Sequence, residues 1–223
     1  MEQNPFQRNN QIKPKDLING NQEKLALKLK VATPDDWQAY KELQLLALDG
    51  KDKAMFGDLS KQVKKQRQYE RNEKDWKDIL SNPYRVVVLA QDGPEAVGMS
   101  YAMQPSEHIQ WRILVGYIKP EFRDKGIWVK IFAQTLQEIK KRGGQYIELQ
   151  ARTDNGGPIH VAELFGFERL SRVNTPTHII SKTIKKIERA FSSPSFVDLH
   201  IDLTDPGVSK KFDEKINEIL NAG

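Results

Sequence analysis

The chain predicts a mixed α/β layer fold, on two observations. Short β-branched or alternating runs interleave with segments of helical period, in the order β-α-α-β-β-β-α-β-α-β and then an α-β-α tail. Near the middle, the apolar run Ile113–Ile118 stops before Pro120, crosses a charged loop containing Gly126, and opens a helix-period segment running to about Arg142. With 223 residues, 38% of them apolar, the chain suits one domain with additions. No internal repeat is visible.

Residues 1–24 are rich in Asn, Gln and Lys, with Pro5, Pro14 and Gly20 interspersed, and predict a flexible N-terminal arm. Leu25, Leu27, Leu29 and Val31 alternate with Ala26, Lys28 and Lys30, the period of a strand. Thr33-Pro34-Asp35-Asp36 is a helix start: a threonine cap, a proline in the first turn, and acids at the positive dipole end. Trp37, Tyr40, Leu43, Leu46 and Ala47 then recur at helical spacing up to Asp49-Gly50. Asp58 or Ser60 is predicted to cap a second helix reaching about Leu80, which Asn82-Pro83 breaks.

Tyr84 to Gln91 reads as a strand covered on both faces. Asp92-Gly93-Pro94-Glu95 turns the chain into a strand from Ala96 to Gln104, and Pro105 to His108 turns it into a strand from Ile109 to Ile118. Trp128, Ile131, Phe132, Leu136 and Ile139 form one stripe of the helix that follows, and Gly143-Gly144 ends it. Then come a strand from Tyr146 to Ala151, a short helix from Pro158 to Phe165 and a strand from Glu168 to Val173. A helix from Thr177 to Phe191 falls within a connection of about 174–195. Val197, Leu199, Ile201 and Leu203 alternate with Asp198, His200 and Asp202 as a strand buried on one face, and residues 204–223 hold a last helix.

Composition narrows the function classes. With no cysteine, disulfides, Cys-ligated metals and a Cys nucleophile are excluded. No apolar run approaches the roughly 18 residues of a membrane span, and Met1 to Gln22 has no apolar core of a secretory signal. A cytoplasmic protein without a membrane partner is expected. The net charge of +5 suits a polyanionic ligand, nucleotide cofactor or nucleic acid. The densest basic stretch, Lys61 to Lys77, interleaves Glu70, Glu73 and Asp75 as a solvated helix does, which argues against a nucleic-acid partner.

The strand–turn–helix junction carries the chemistry. A glycine-containing basic turn that opens a helix aims first-turn amides at one point, where the helix dipole adds positive potential and a phosphate can sit. The turn Arg123-Asp124-Lys125-Gly126-Ile127-Trp128 resembles motif A of the GNAT acetyltransferases, Arg/Gln-x-x-Gly-x-Gly/Ala. Further points of resemblance follow the same order: Leu29 to Asp36, Ala47-Leu48 with Met55-Phe56-Gly57 and Trp76, Ala96 to Met99, Asn155 with Gly166-Phe167, and Phe196-Val197-Asp198. They span roughly Leu25 to Leu203, so the resemblance implies a GNAT domain over residues 25–203, with a helical insertion at about 174–195.

The resemblance implies a mostly antiparallel sheet splayed between strands 4 and 5, helices on both faces, and an extra C-terminal helix. It also implies acetyl-CoA as cosubstrate, with its pantetheine arm along the backbone of Gly116, Tyr117 and Ile118 and its pyrophosphate on the amides of Asp124, Lys125, Gly126, Ile127, Trp128 and Val129. Arg123 and Lys125 would add charge, and Asn155 would bond the pantetheine. The acceptor would be an amine of a small molecule or peptide, attacking the thioester directly, and a homodimer is compatible with the sequence. The first two helices and the 174–195 connection would shape the acceptor site.

Three departures from the family pattern stand out. Its usual acid, a tyrosine seven residues after the motif-B asparagine, is Ala162 here, with His160 two positions away. A frequent base position, five residues before that asparagine, is Gln150, which leaves Glu148 on the same strand face as the candidate base and Tyr117 as the candidate acid. Position 128, small in the family, is tryptophan. Its indole either begins the buried stripe of the helix or lies over the phosphate seat. Asp198, His200 and Asp202 share one strand face and read as a polar sheet surface, so no metal is expected, and Trp37, Trp76 and Trp111 read as packing residues.

Overall fold

The computed structural model describes residues 27–49, 70–105, 110–153, 156–170 and 196–222. The expected N-terminal arm, the 177–191 helix and Asn155 lie outside the described residues.

Among the described residues, seven strands form one sheet: β1 (Leu27–Val31), β2 (Arg85–Asp92), β3 (Glu95–Met103), β4 (Gln110–Ile118), β5 (Tyr146–Arg152), β6 (Glu168–Arg169) and β7 (Phe196–Asp202), in spatial order β1-β2-β3-β4-β5-β7-β6. All neighbours are antiparallel except β4 and β5, which run parallel. That exception follows from the connection, because a helix, α3 (Ile127–Lys141), crosses from β4 to β5. Strand β2, flanked by β1 and β3, is buried along Val86–Ala90, as its β-branched run predicts.

The helices cover both faces. α3, α4 (Gly156–Leu164) and α5 (Pro206–Asn221) lie on one side, where Ile131, Phe132, Leu136, Ile147, Leu199, Phe212 and Ile216 build the larger core. On the other, α1 (Trp37–Asp49) and α2 (Glu73–Ser81) enclose Tyr40, Leu43, Trp76, Leu89 and Met99. Trp76 and Trp111 are 0% and 1% exposed, as expected of packing residues.

α1 begins as a 3-10 turn, Pro34–Asp36, whose Asp36 carboxylate accepts from the Thr33 backbone N–H at 2.9 Å and from Lys30 Nζ at 2.7 Å. The second helix departs from expectation. It starts only at Glu73, because the Asn72 side chain accepts from the Asp75 backbone N–H at 3.1 Å and the Asp75 carboxylate accepts in turn from the Asn72 N–H at 2.9 Å. This capping box is a stop as well as a start, so residues 70–72 do not continue a helix from 58 or 60. No helix among the described residues is long and apolar enough to cross a membrane.

Candidate functional site

β4 and β5 are paired for only half their length. The parallel register runs from Gln110↔Tyr146 to Ile113↔Leu149 and stops, although β4 continues to Ile118 and β5 to Arg152. β3 follows β4 to its end, so it is β5 that departs. At the same level β4 carries a bulge. Val115 opposes Tyr101 and Ile113 opposes Ala102, which leaves Leu114 as an extra residue, 44% exposed. A bulge bends and twists its strand, and here it coincides with the parting of the two strands.

Above the parting, the backbone of β4 has an open edge. The Lys119 N–H bonds Val97 O on β3 at 2.9 Å, so by alternation Tyr117 also turns its backbone groups to β3. Gly116 and Ile118 therefore turn theirs toward the gap left by β5. The Tyr117 side chain is buried among the α1 and α2 core residues. It lies on the same sheet face as Arg112 and, across the register, Glu148.

The turn from β4 into α3 holds itself in place. Pro120–Phe122 forms one 3-10 turn, and Arg123 Nε donates to Ile118 O at 3.1 Å, tying the loop to the strand end. Lys125 Nζ lies 5.2 Å from the Phe122 ring centre. Asp124 and Gly126 adopt positive φ, 59° and 68°. Glycine takes that conformation without a steric penalty, and Asp is among the few residues that tolerate it. Gly126 gives α3 no side-chain cap. The amides of Ile127, Trp128 and Val129, which a helix cannot satisfy internally, are thus presented together at its positive end, beside the gap.

Trp128 packs. Its indole lies 5.5 Å from the Phe132 ring and against the Cα of Gly116, so that a methyl group on Gly116 would collide with its six-membered ring. Trp at 128 and Gly at 116 are complementary, and the sequence separation of the pair hides this.

Below the parting, side chains are locked. Arg112 brings Nε and Nη2 each to 3.0 Å from Glu148 Oε2, and among the described residues no hydrogen bond reaches Oε1. Burial pushes the Glu148 carboxyl above its ordinary value, against the pull of Arg112 and with a further push from Asp198. Gln150 Nε2 donates to Asp198 Oδ1 at 2.8 Å, and His200 on β7 stands directly opposite Glu148.

Lys119 is a functional candidate that sequence reasoning passes over. It is buried at the end of β4, with Nζ 2.7 Å from Glu95 and 3.2 Å from Glu42. Burial opposes its charge, but the two carboxylates outweigh it and hold the ammonium above its ordinary pKa. The only local signal was a lysine ending an apolar strand. Ala162 is 0% exposed in the core, and His160 is exposed. No group of three or more His, Asp or Glu side chains suited to a metal occurs among the described residues.

A family model for the acetyltransferase (GNAT) family matches residues 53–167. No curated protein matches the chain in sequence. Among solved structures, the PaiA N-acetyltransferase from Thermoplasma acidophilum in complex with coenzyme A is similar at a TM-score of 0.58 and 12% identity, covering 79% of this chain and 99% of that one. YncA from Salmonella typhimurium, a putative acetyltransferase with its cofactor acetyl-CoA, gives 0.55 and 12%, covering 79% and 94%. The ribosomal-protein-S18-alanine N-acetyltransferase from Escherichia coli gives 0.50 and 12%, again covering 79% and 94%. At these identities the likeness is one of fold.

Proposed function

Because the chain belongs to the acetyltransferase (GNAT) family, we propose that it transfers the acetyl group of acetyl-CoA to a primary amine by direct attack on the thioester. The observation that carries this reading is the coincidence of three features at one place. β5 leaves β4 after Ile113, the backbone of Gly116 and Ile118 faces the opening, and the uncapped start of α3 lies at its mouth. These features fit an elongated ligand with a diphosphate at one end and an amide-bearing arm behind it.

Acetyl-CoA supplies an acyl group already activated as a thioester. In this reading the amides of residues 124–129 hold the diphosphate, with Lys125 and Arg123 adding positive charge. Gly116 and Ile118 receive the pantetheine arm as an added strand would be received, with Asn155 as a further contact by family analogy. The Ile118 N–H faces the charge that develops on the thioester carbonyl. Glu148, its basicity raised by burial, takes the proton of the incoming ammonium through Oε1. Tyr117 is the proton donor to the leaving thiolate.

A second reading, a CoA-binding module without turnover, is favoured by Ala162, which places a buried methyl where the family carries its tyrosine acid. The deciding experiment is thiol release from acetyl-CoA across a panel of primary amines and N-terminal peptides, alongside calorimetric titration of acetyl-CoA. Amine-dependent thiol release supports acetyl transfer. Binding without release supports the silent module, and absence of binding overturns both.

A further inference from the structure

Glu148 has two neighbours in its row across the sheet, one on each flank. Arg112, Glu148 and His200 occupy consecutive strands in register, on β4, β5 and β7. Residues directly opposite on antiparallel strands have Cβ atoms about 5 Å apart on one face, so the imidazole stands beside the carboxylate. Arg112 occupies Oε2. On the other flank, His200 Nδ1 is buried with no hydrogen-bond partner, while the residue as a whole stays partly exposed.

A base that strips an ammonium must pass the proton on before the next turnover. Among the described residues, the polar groups in the rows around Glu148 and His200 are Arg112 on β4, Tyr146 and Gln150 on β5, Glu168 on β6, and Asp198 and Asp202 on β7, a phenol being too weak an acid to exchange a proton near neutral pH. Arg112 has no proton to exchange at neutral pH and Gln150 none to accept. Asp198 is bonded to Gln150, and Asp202 caps the Thr204 N–H and hydroxyl. Glu168 lies beyond His200, one strand farther from Glu148. Histidine is the side-chain type that takes up and returns a proton near neutral pH.

Building on the acetyl-transfer reading, we propose that His200 is the proton exit of Glu148, receiving the acceptor's proton from the carboxyl and releasing it to solvent. R–NH3⁺ gives one proton to Glu148–COO⁻, Glu148–COOH gives it to neutral His200, and HisH⁺ gives it to buffer. The free amine forms the C–N bond as the C–S bond breaks, and its second proton ends on the thiolate, so R–NH3⁺ and acetyl-CoA yield the amide, CoASH and one H⁺. His200 acts through Glu148 and does not touch the substrate.

The test is His200→Ala, with His200→Gln as a second variant that preserves bulk, each with its melting temperature checked. At saturating acetyl-CoA and amine, kcat is expected to fall about tenfold, with KM for acetyl-CoA unchanged and the loss restored by added imidazole. In parallel, the Glu148 carboxyl followed by carbon-13 NMR is expected to titrate at higher pH in His200→Ala, because an imidazolium neighbour that favoured the carboxylate is gone. A variant matching wild-type kcat, a loss that imidazole does not restore, or an unmoved Glu148 titration each overturns the relay while leaving acetyl transfer standing. A wild-type protein that releases no thiol overturns acetyl transfer itself, and the relay with it.

Discussion

The lower and upper halves of the β4–β5 pair are built on opposite principles. Below Ile113 and Leu149 the strands share a register, the backbone is satisfied within the sheet, and side chains such as Arg112 and Glu148 are fixed by each other. Above it the strands part, the backbone of Gly116 and Ile118 is left facing an opening, and the nearby side chain of consequence, Trp128, serves to fill the space over a glycine. A closed sheet positions side chains for chemistry, and an opened one offers main chain for recognition. The bulge at Leu114 lies where the first gives way to the second.

If the division holds, changes in the closed half should appear in turnover and changes in the open half in binding or stability. The largest effect is expected from Glu148→Gln, which removes the base and should lower kcat by about 10² to 10⁴ with acetyl-CoA affinity retained, read by steady-state kinetics and calorimetry. In the wild type, the carboxyl is raised above its ordinary 4.5 and works deprotonated, so the acid limb of kcat/KM should fall above pH 4.5 and vanish in this variant. Next, Gly126→Asp puts a side chain in the left-handed conformation and a negative charge at the diphosphate seat. Like-charge juxtaposition costs several kcal/mol, so acetyl-CoA affinity should drop at least about 100-fold by calorimetry. Unimpaired binding would show that the recognition site lies elsewhere.

Trp128→Gly should be a stability variant, losing about 3 kcal/mol in denaturant unfolding with the affinity of the folded protein unchanged. Tighter binding instead would make the indole an obstruction. Gly116→Ala should cost about 1–3 kcal/mol through overpacking against the same ring, and pairing it with Trp128→Gly should recover part of the loss. The smallest change is a control remote from both halves. Burial would raise the Asp36 carboxyl, but Lys30 and Thr33 hold it below its ordinary 3.8, so its contribution is present above that value and fades as pH falls through the native one. Asp36→Asn should therefore cost about 1 kcal/mol at neutral pH, and less in acid.

The strands and helices were legible where burial imposes a period: the alternation at Leu27–Val31, the β-branched run of β2, and the stripe of α3. The turn at Gly126 was legible because the demand for positive φ and the helix start are both local. The splay between strands 4 and 5 followed from the family resemblance, but its place just after Ile113 did not, since a bulge is an offset between two strands and leaves no mark in either alone. The same reason hides the Trp128–Gly116 fit and the Lys119 ion pairs with Glu42 and Glu95, which join positions far apart in the chain. The capping box at Asn72 was local and legible in principle, but the charged stretch Lys61 to Lys77 looked continuous and concealed a start within it. Glu148 could be picked out by its strand face, whereas its partners Arg112 and His200 needed the register.

The crystal structure of the protein with coenzyme A tests the division of β4 most directly. The pantetheine arm is expected along Gly116 and Ile118 in the opening above Ile113, the diphosphate on the amides of Ile127, Trp128 and Val129, and the Trp128 indole still seated on Gly116. Coenzyme A bound away from the β4–β5 opening, or an indole displaced from Gly116 to admit it, would contradict this division of β4.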